Sequence, residues 1–136
     1  MAKYTTYIIS EDARAQSEFY MQALGGEINS IMTHGQLPDA REELKDKIIH
    51  LCFNAAGVNF FMSDSVFEPV QSGNAVHLNL EFASEAEARQ AFNQLAIGGQ
   101  IHQPLEPAFW GSLFGQIEDK FGIRWMITTE SNASQA

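Results

Sequence analysis

The sequence predicts an α+β fold built from two tandem strand-helix-strand-strand-strand modules, and three observations carry that prediction. A shift of 73 positions lays one stretch of the chain on another. Each copy changes from a period-two to a period-3.6 apolar pattern, as a strand followed by a helix must. Each copy is then followed by two apolar runs around a glycine-containing turn, which read as a hairpin.

The repeat places Ala13, Ala15, Phe19, Ala23, Gly25 and Gly26 on Ala86, Ala88, Phe92, Ala96, Gly98 and Gly99, and Ile28 on Ile101. A phenylalanine and a Gly-Gly pair at one offset are a stronger signal than the alanines. In the second copy His77–Phe82 alternates polar and apolar, the mark of a half-buried strand. Ser84 stands three residues before Glu87, a capping-box spacing. Ala88, Ala91, Phe92, Leu95 and Ala96 follow as one apolar helical stripe. Gly98-Gly99 ends that helix, because glycine takes the left-handed cap conformation without a Cβ clash. In the first copy Tyr4–Ile9 is the strand, Glu11 to Leu24 the helix and Gly25-Gly26 the stop.

The later halves correspond with Gly57 on Gly122. Ile48–Phe53, a turn at Asn54–Gly57 and Val58–Ser63 form one predicted hairpin. Phe109–Ile117, a turn near Glu118–Gly122 and Ile123–Thr129 form the other. The segment Gly35–Asp46 contains Pro38 and six charged residues, so it reads as a surface loop, and Asp64–Gly73 reads as the link between halves. The chain is thus expected to be a single domain over 1–136, with module one at about 3–64, module two at about 74–130 and a frayed tail at 131–136.

Composition narrows the function. The 136 residues are 45% hydrophobic and 18% charged, a globular composition. Seventeen acidic against eight basic side chains leave a formal charge of −9, which repels phosphate backbones and anionic membrane surfaces. No apolar run approaches the ~20 residues of a membrane helix. The start shows no secretory pattern, and Cys52 is the only cysteine, so a cytoplasmic location is expected. Gly25-Gly26 and Gly98-Gly99 follow helices, whereas phosphate-cradling loops precede them. No serine-triad motif stands out.

The strings Glu18-Phe19-Tyr20, Leu24-Gly25-Gly26-Glu27, Asp46-Lys47-Ile48-Ile49-His50, Phe109-Trp110-Gly111, Phe114-Gly115 and Asp119–Met126 resemble the vicinal oxygen chelate superfamily of glyoxalase and bleomycin-resistance type. The similarity is closer to its PhnB-like branch and runs from about Tyr4 to Glu130. It implies two βαβββ modules forming a cupped mixed sheet with the helices packed outside, and a homodimer. It also implies a divalent metal held by four side chains that chelates substrate oxygens. Carried over, the metal positions fall on His50 and His77, on Tyr4 or Thr5, and on Met126, where a carboxylate is usual. A thioether suits hard divalent ions poorly. The branch has carried a ubiquinone-methyltransferase label, but no strand-glycine-loop-helix unit for a methyl donor's nucleoside is present.

Strand parity adds candidates independently of the resemblance. Leu78, Leu80 and Phe82 should face the helix, which turns His77, Asn79 and Glu81 the other way. Ile48, His50 and Cys52 share a face, as do Arg124, Met126 and Thr128. Glu81 is the candidate for proton transfer, although an ion pair with Arg124 is the favoured reading. His34 and His102 read as exposed, Phe60, Phe61 and Met62 as core, and Cys52 as unreactive. Trp110, beside Gly111, reads equally as core or as a cavity wall.

The leading expectation is a small-molecule-binding domain for an apolar or aromatic ligand, with His50, His77, Asn79, Trp110 and Arg124 in contact with it. One alternative is a metal-dependent enzyme in which His50 and His77 hold a divalent ion. Another is an antibiotic-sequestering protein without turnover.

Overall fold

The computed structural model describes residues 1–130 and resolves two compact units, Met1–Gln71 and a second that begins at Ser72. The predicted tail at 131–136 lies outside the described residues. The first unit contains β1 (Thr6–Ser10), α1 (Ala13–Leu24), β2 (Gly26–Thr33), β3 (Ile48–Ala55) and β4 (Val58–Asp64). The second contains β5 (Leu78–Phe82), α2 (Glu85–Leu95), β6 (Gln100–Pro107), β7 (Leu113–Glu118) and β8 (Arg124–Thr129). Each unit is the expected βαβββ module. The strand orders are β1-β4-β3-β2 and β5-β8-β7-β6, with the first pair parallel and the others antiparallel.

Both helices start where the sequence provides a cap. The Asp12 side chain accepts from Ala15 N at 3.1 Å, and Ser84 Oγ accepts from Glu87 N at 3.2 Å. Such caps are worth about 1 kcal/mol. Ser84 Oγ also donates to Glu87 Oε1 at 2.9 Å, so the box closes through the hydroxyl.

The Gly-Gly pairs do two separate things. Gly25 caps α1 at φ +79, whereas α2 stops earlier than expected, at Leu95 with Ala96 as its cap, and Gly98 at φ +78 reverses the chain in the turn that follows. Gly26 begins β2, and Gly99 stands just before β6, each against the carbonyl of a neighbour. A Cβ on Gly26 would lie 1.8 Å from Asn54 O, and one on Gly99 would lie 2.1 Å from Glu118 O.

Each helix covers one sheet face. In the first unit Ile8, Leu51, Phe53, Ala55, Phe60 and Met62 are buried with Ala13, Tyr20 and Ala23 of α1, and Tyr20 stacks on Phe53 at 6.5 Å. The Tyr20 hydroxyl accepts from Gln16 Nε2 at 2.8 Å, which satisfies both buried groups. Asp64, ending β4, ties the start of α1 to the start of β3. Its two oxygens accept from Ala13 N and Ile48 N, each at 2.7 Å. In the second unit Leu80, Leu105, Ile117, Trp125 and Ile127 are buried with Ala88, Ala91, Phe92 and Leu95. Asp119, only 2% exposed, accepts from Phe121 N, Ile123 N and Trp125 Nε1 at 2.8, 3.2 and 2.8 Å. That carboxylate shapes the β7–β8 turn and satisfies the indole of the largest buried side chain.

Several boundaries differ from the sequence reading. Tyr4 and Thr5 precede β1, and β7 begins at Leu113, not Phe109. Phe109 and Trp110 lie in a turn closed by Gly111 N donating to Ala108 O and Ala108 N donating to Ser112 O, at 2.9 and 2.8 Å. Ile48 is fully buried, whereas His50 and Cys52 are half-buried. A register shift between Met32 and Thr33 of β2 breaks simple alternation there. The 35–46 loop is exposed as expected, with 3-10 turns at His34–Gln36 and Glu42–Leu44. No helix among the described residues is long and apolar enough to cross a membrane.

Two stability measurements test this account. Asp119→Ala strands the Trp125 indole N–H, so urea unfolding should show a loss of about 2–4 kcal/mol. A loss under ~0.5 kcal/mol would mean the carboxylate is not the turn's organiser. Gly99→Ala must push β7 aside, while Gly57→Ala meets open space and suffers only its φ of +75. Thermal unfolding should therefore show a greater drop for Gly99→Ala than the ~1 kcal/mol expected at Gly57.

Candidate functional site

A four-stranded sheet with one helix on it has a second face, and the candidate residues lie on those open faces. In the first unit β1, β3 and β4 present three rings there. Tyr7 and His50 have ring centroids 5.9 Å apart, His50 and Phe61 5.0 Å, and Tyr7 and Phe61 6.2 Å. Tyr7 is 46% exposed, and Ile9 on β1 and Met32, the register partner of His50 on β2, are exposed as well. Beside the rings, Asn29 Nδ2 lies 3.8 Å from Cys52 Sγ.

His50 is thus on the open face as expected, but among rings. Phe61, read as core, is half-buried against His50, whereas Phe60 and Met62 are core. The ring beside His50 belongs to Tyr7, two residues along from Thr5. Thr5 is half-buried just before β1, and Tyr4 is 83% exposed, with its hydroxyl 3.3 Å from Thr6 Oγ1. The signal for Phe61 was present in its neighbours, since Asn59 and Ser63 share its parity and mark that face as polar.

In the second unit the register places Asn79 beside Met126 and Gln116, and Glu81 beside Thr128 and Phe114. Asn79 and Glu81 are exposed. Trp110 meets Phe114 edge-on at 5.8 Å and Phe109 at 4.8 Å, and remains 45% exposed.

The expected ion pair of Glu81 with Arg124 is not formed. Glu81 pairs in register with Thr128, four residues along β8 from Arg124, roughly 13 Å at ~3.3 Å per residue. Arg124 instead faces Glu118, its register partner, with Nε 3.3 Å from Oε1. His102 reaches the same oxygen at 3.1 Å from the register shift between Ile101 and Gln103. His102 is exposed as expected, although its side chain is held by Glu118, whereas His34 is half-buried. Sequence reasoning missed Glu118 as the partner of Arg124 and could not see the shift that delivers His102.

His77 stands immediately before β5. Its Nε2 lies 3.2 Å from Asn74 O, and its Nδ1 is buried without a hydrogen-bond partner among the described residues.

The ligand set implied by the family for a divalent metal does not fit. Met126 offers a thioether in place of a carboxylate, His50 stands between aromatic rings, and His77 Nε2 is directed at a carbonyl. Among the described residues no group of three or more His, Cys, Asp or Glu side chains gathers to hold an ion.

Known proteins agree with this architecture. The Escherichia coli K12 protein YjdN is 28% identical over 120 residues, covering 80% of this chain and 82% of that protein. The crystal structure of protein PA1353 from Pseudomonas aeruginosa matches with a TM-score of 0.82 and 32% identity, covering 96% of this chain and 98% of that one. The PhnB protein from Bacillus cereus matches with a TM-score of 0.78 and 27% identity, covering 94% and 99%. A family model described as the Glyoxalase/Bleomycin resistance protein/Dioxygenase superfamily matches residues 3–127, and with both βαβββ modules inside that span the chain belongs to this superfamily and has a PhnB protein among its homologues.

Proposed function

We propose that the chain binds a small apolar or aromatic molecule, with the Tyr7–His50–Phe61 face of the first unit as its apolar seat. The observation that carries this reading is the set of three ring contacts on a face the helix leaves uncovered. Covering about 200 Å² of such surface is worth about 5 kcal/mol at ~25 cal/mol per Å². Association itself costs at least ~4 kcal/mol, so rings alone hold a ligand weakly and polar contacts must supply the rest. The open face of the second unit is proposed as a candidate surface of its own, with His77, Asn79 and Arg124 as its polar ligand contacts and Trp110 as its aromatic one. Glu81, exposed and without an ion-pair partner among the described residues, is the group available to accept a proton. The reading includes a homodimer and, from the single free cysteine, a cytoplasmic location.

Saturation-transfer NMR against a panel of neutral aromatic compounds tests the seat. Tyr7→Ala combined with Phe61→Ala should weaken binding at least tenfold, about 1.4 kcal/mol, with an unchanged unfolding midpoint. Unchanged affinity in a folded double variant would remove the seat from the first unit. Native mass spectrometry should find a species of twice 15.1 kDa, and a monomer at micromolar concentration would refute the dimer.

A further inference from the structure

The two return strands carry the same irregularity at the same place. In β2 the register steps from Ile28 opposite Phe53 to Ser30 opposite Cys52, so Asn29 is an extra residue. In β6 it steps from Ile101 opposite Ile117 to Gln103 opposite Gln116, which leaves His102 extra. Under the 73-residue repeat His102 is the counterpart of Asn29. A bulge re-aims the side chain it inserts, and here both inserted side chains reach the neighbouring strand. His102 Nε2 lies 3.1 Å from Glu118 Oε1, and Asn29 Oδ1 accepts from Asn54 Nδ2 at 3.4 Å. The third members correspond too, since Arg124 is opposite Glu118 as Asn59 is opposite Asn54.

One corner of the module thus has two chemistries. In the second unit an imidazole and a guanidinium meet at the Glu118 carboxylate. In the first unit three carboxamides stand in the same places. Asn29 and Asn59 are exposed and Asn54 is half-buried, so a ligand can reach them. Each carboxamide offers two N–H donors and a carbonyl acceptor. Among the described residues these side chains make two hydrogen bonds, from Asn54 to Asn29 and from Asn29 Nδ2 to Cys52 Sγ at 3.8 Å. Their other donors and acceptors are left for solvent, where a ligand can take the place of water.

The amides adjoin the aromatic seat. Asn59 is two residues along β4 from Phe61, and Asn54 is two residues along β3 from Cys52, the register partner of Phe61. That step is roughly 6.6 Å at ~3.3 Å per residue. None of the four strands of this unit carries Lys or Arg, and Glu27, opposite Asn54, adds a negative charge. A carboxylate would find no counter-charge on these strands and one repelling group. Resting on the first-unit seat proposed above, we infer that Asn29, Asn54 and Asn59 are its specificity-determining polar end and select an aromatic ligand that bears an uncharged carboxamide about one such step from its ring. The ligand amide pairs donor to acceptor with these side chains while the ring covers Phe61.

The probe is 3-phenylpropanamide, whose two methylenes set the amide about that far from the ring, titrated into the full chain at pH 7 beside 3-phenylpropanoate. Nitrogen-15 NMR follows the side-chain amides of the three asparagines, and carbon-13 NMR follows the rings of Tyr7 and Phe61. The amide should move both sets of signals along one saturation curve and bind about tenfold more tightly than the acid. Asn54→Ala with Asn59→Ala should bring that preference below about twofold while the backbone spectrum stays folded. Asn59→Arg, which places a cation where the second unit has Arg124, should turn the preference toward the acid. Equal affinity of the native chain for the two compounds overturns the inference, as does a preference that survives the double variant. Ring shifts without asparagine shifts overturn it as well, and leave the aromatic seat standing. Shifts in neither set remove the seat and the inference together.

Discussion

The approach of a strand backbone to a facing carbonyl governs both units. Gly26, the first residue of β2, and Gly99, just before β6, lie where any Cβ would overlap Asn54 O or Glu118 O. Only a bare Cα lets β2 and β6 start their pairing with β3 and β7 there. The preceding glycine, at positive φ, supplies the reversal. It follows α1 at once and α2 after the short turn that Ala96 begins. With one helix of 11 or 12 residues per sheet, the opposite face is left for other work.

Equal register with unequal chemistry is what separates the two open faces. Ile8 pairs with Met62 as Leu80 pairs with Ile127, and Leu51 pairs with Met62 as Gly115 pairs with Ile127. Tyr7 is then equivalent to Asn79, His50 to Phe114 and Phe61 to Met126. Three rings in the first unit correspond to an amide, one ring and a thioether in the second. The duplicated frame is kept by the helix-facing residues, which must fill the same space. The open-facing residues are under no such packing demand and have diverged toward stacking on one sheet and hydrogen bonding on the other.

The frame was legible because it rests on short-range signals: caps at Asp12 and Ser84, glycines at the helix ends, alternation on β5. The site was less legible, for identifiable reasons. On β1 the run Tyr7-Ile8-Ile9 is apolar throughout, so alternation does not reveal that Tyr7 faces out beside His50. The strand before Phe114 was drawn too long because Phe109 and Trp110 look like strand residues, although a turn closed at Ala108 and Ser112 holds them. Register shifts hid the rest. The one near Thr33 undoes the parity of Ile48 with His50, and the one at Ile101–Gln103 brings His102 to Glu118. Long-range pairing decided the partner of Arg124. Parity put Glu81 and Arg124 on one face, but their offset along the parallel ladder keeps them apart.

That offset has a consequence for charge. In a chain of net charge −9, an arginine on an open sheet face looks like a lure for anions. Paired with Glu118, it contributes no net charge to that face, while Glu81 remains exposed there without a counter-ion among the described residues. A surface arranged this way disfavours carboxylates and phosphates by Coulomb repulsion, whichever small molecule it meets. What it retains is directional hydrogen bonding, which selects by the placement of donors and acceptors and not by charge. The aromatic face of one unit and the polar face of the other thus differ in kind, and that division follows from which residues were left free of the helix.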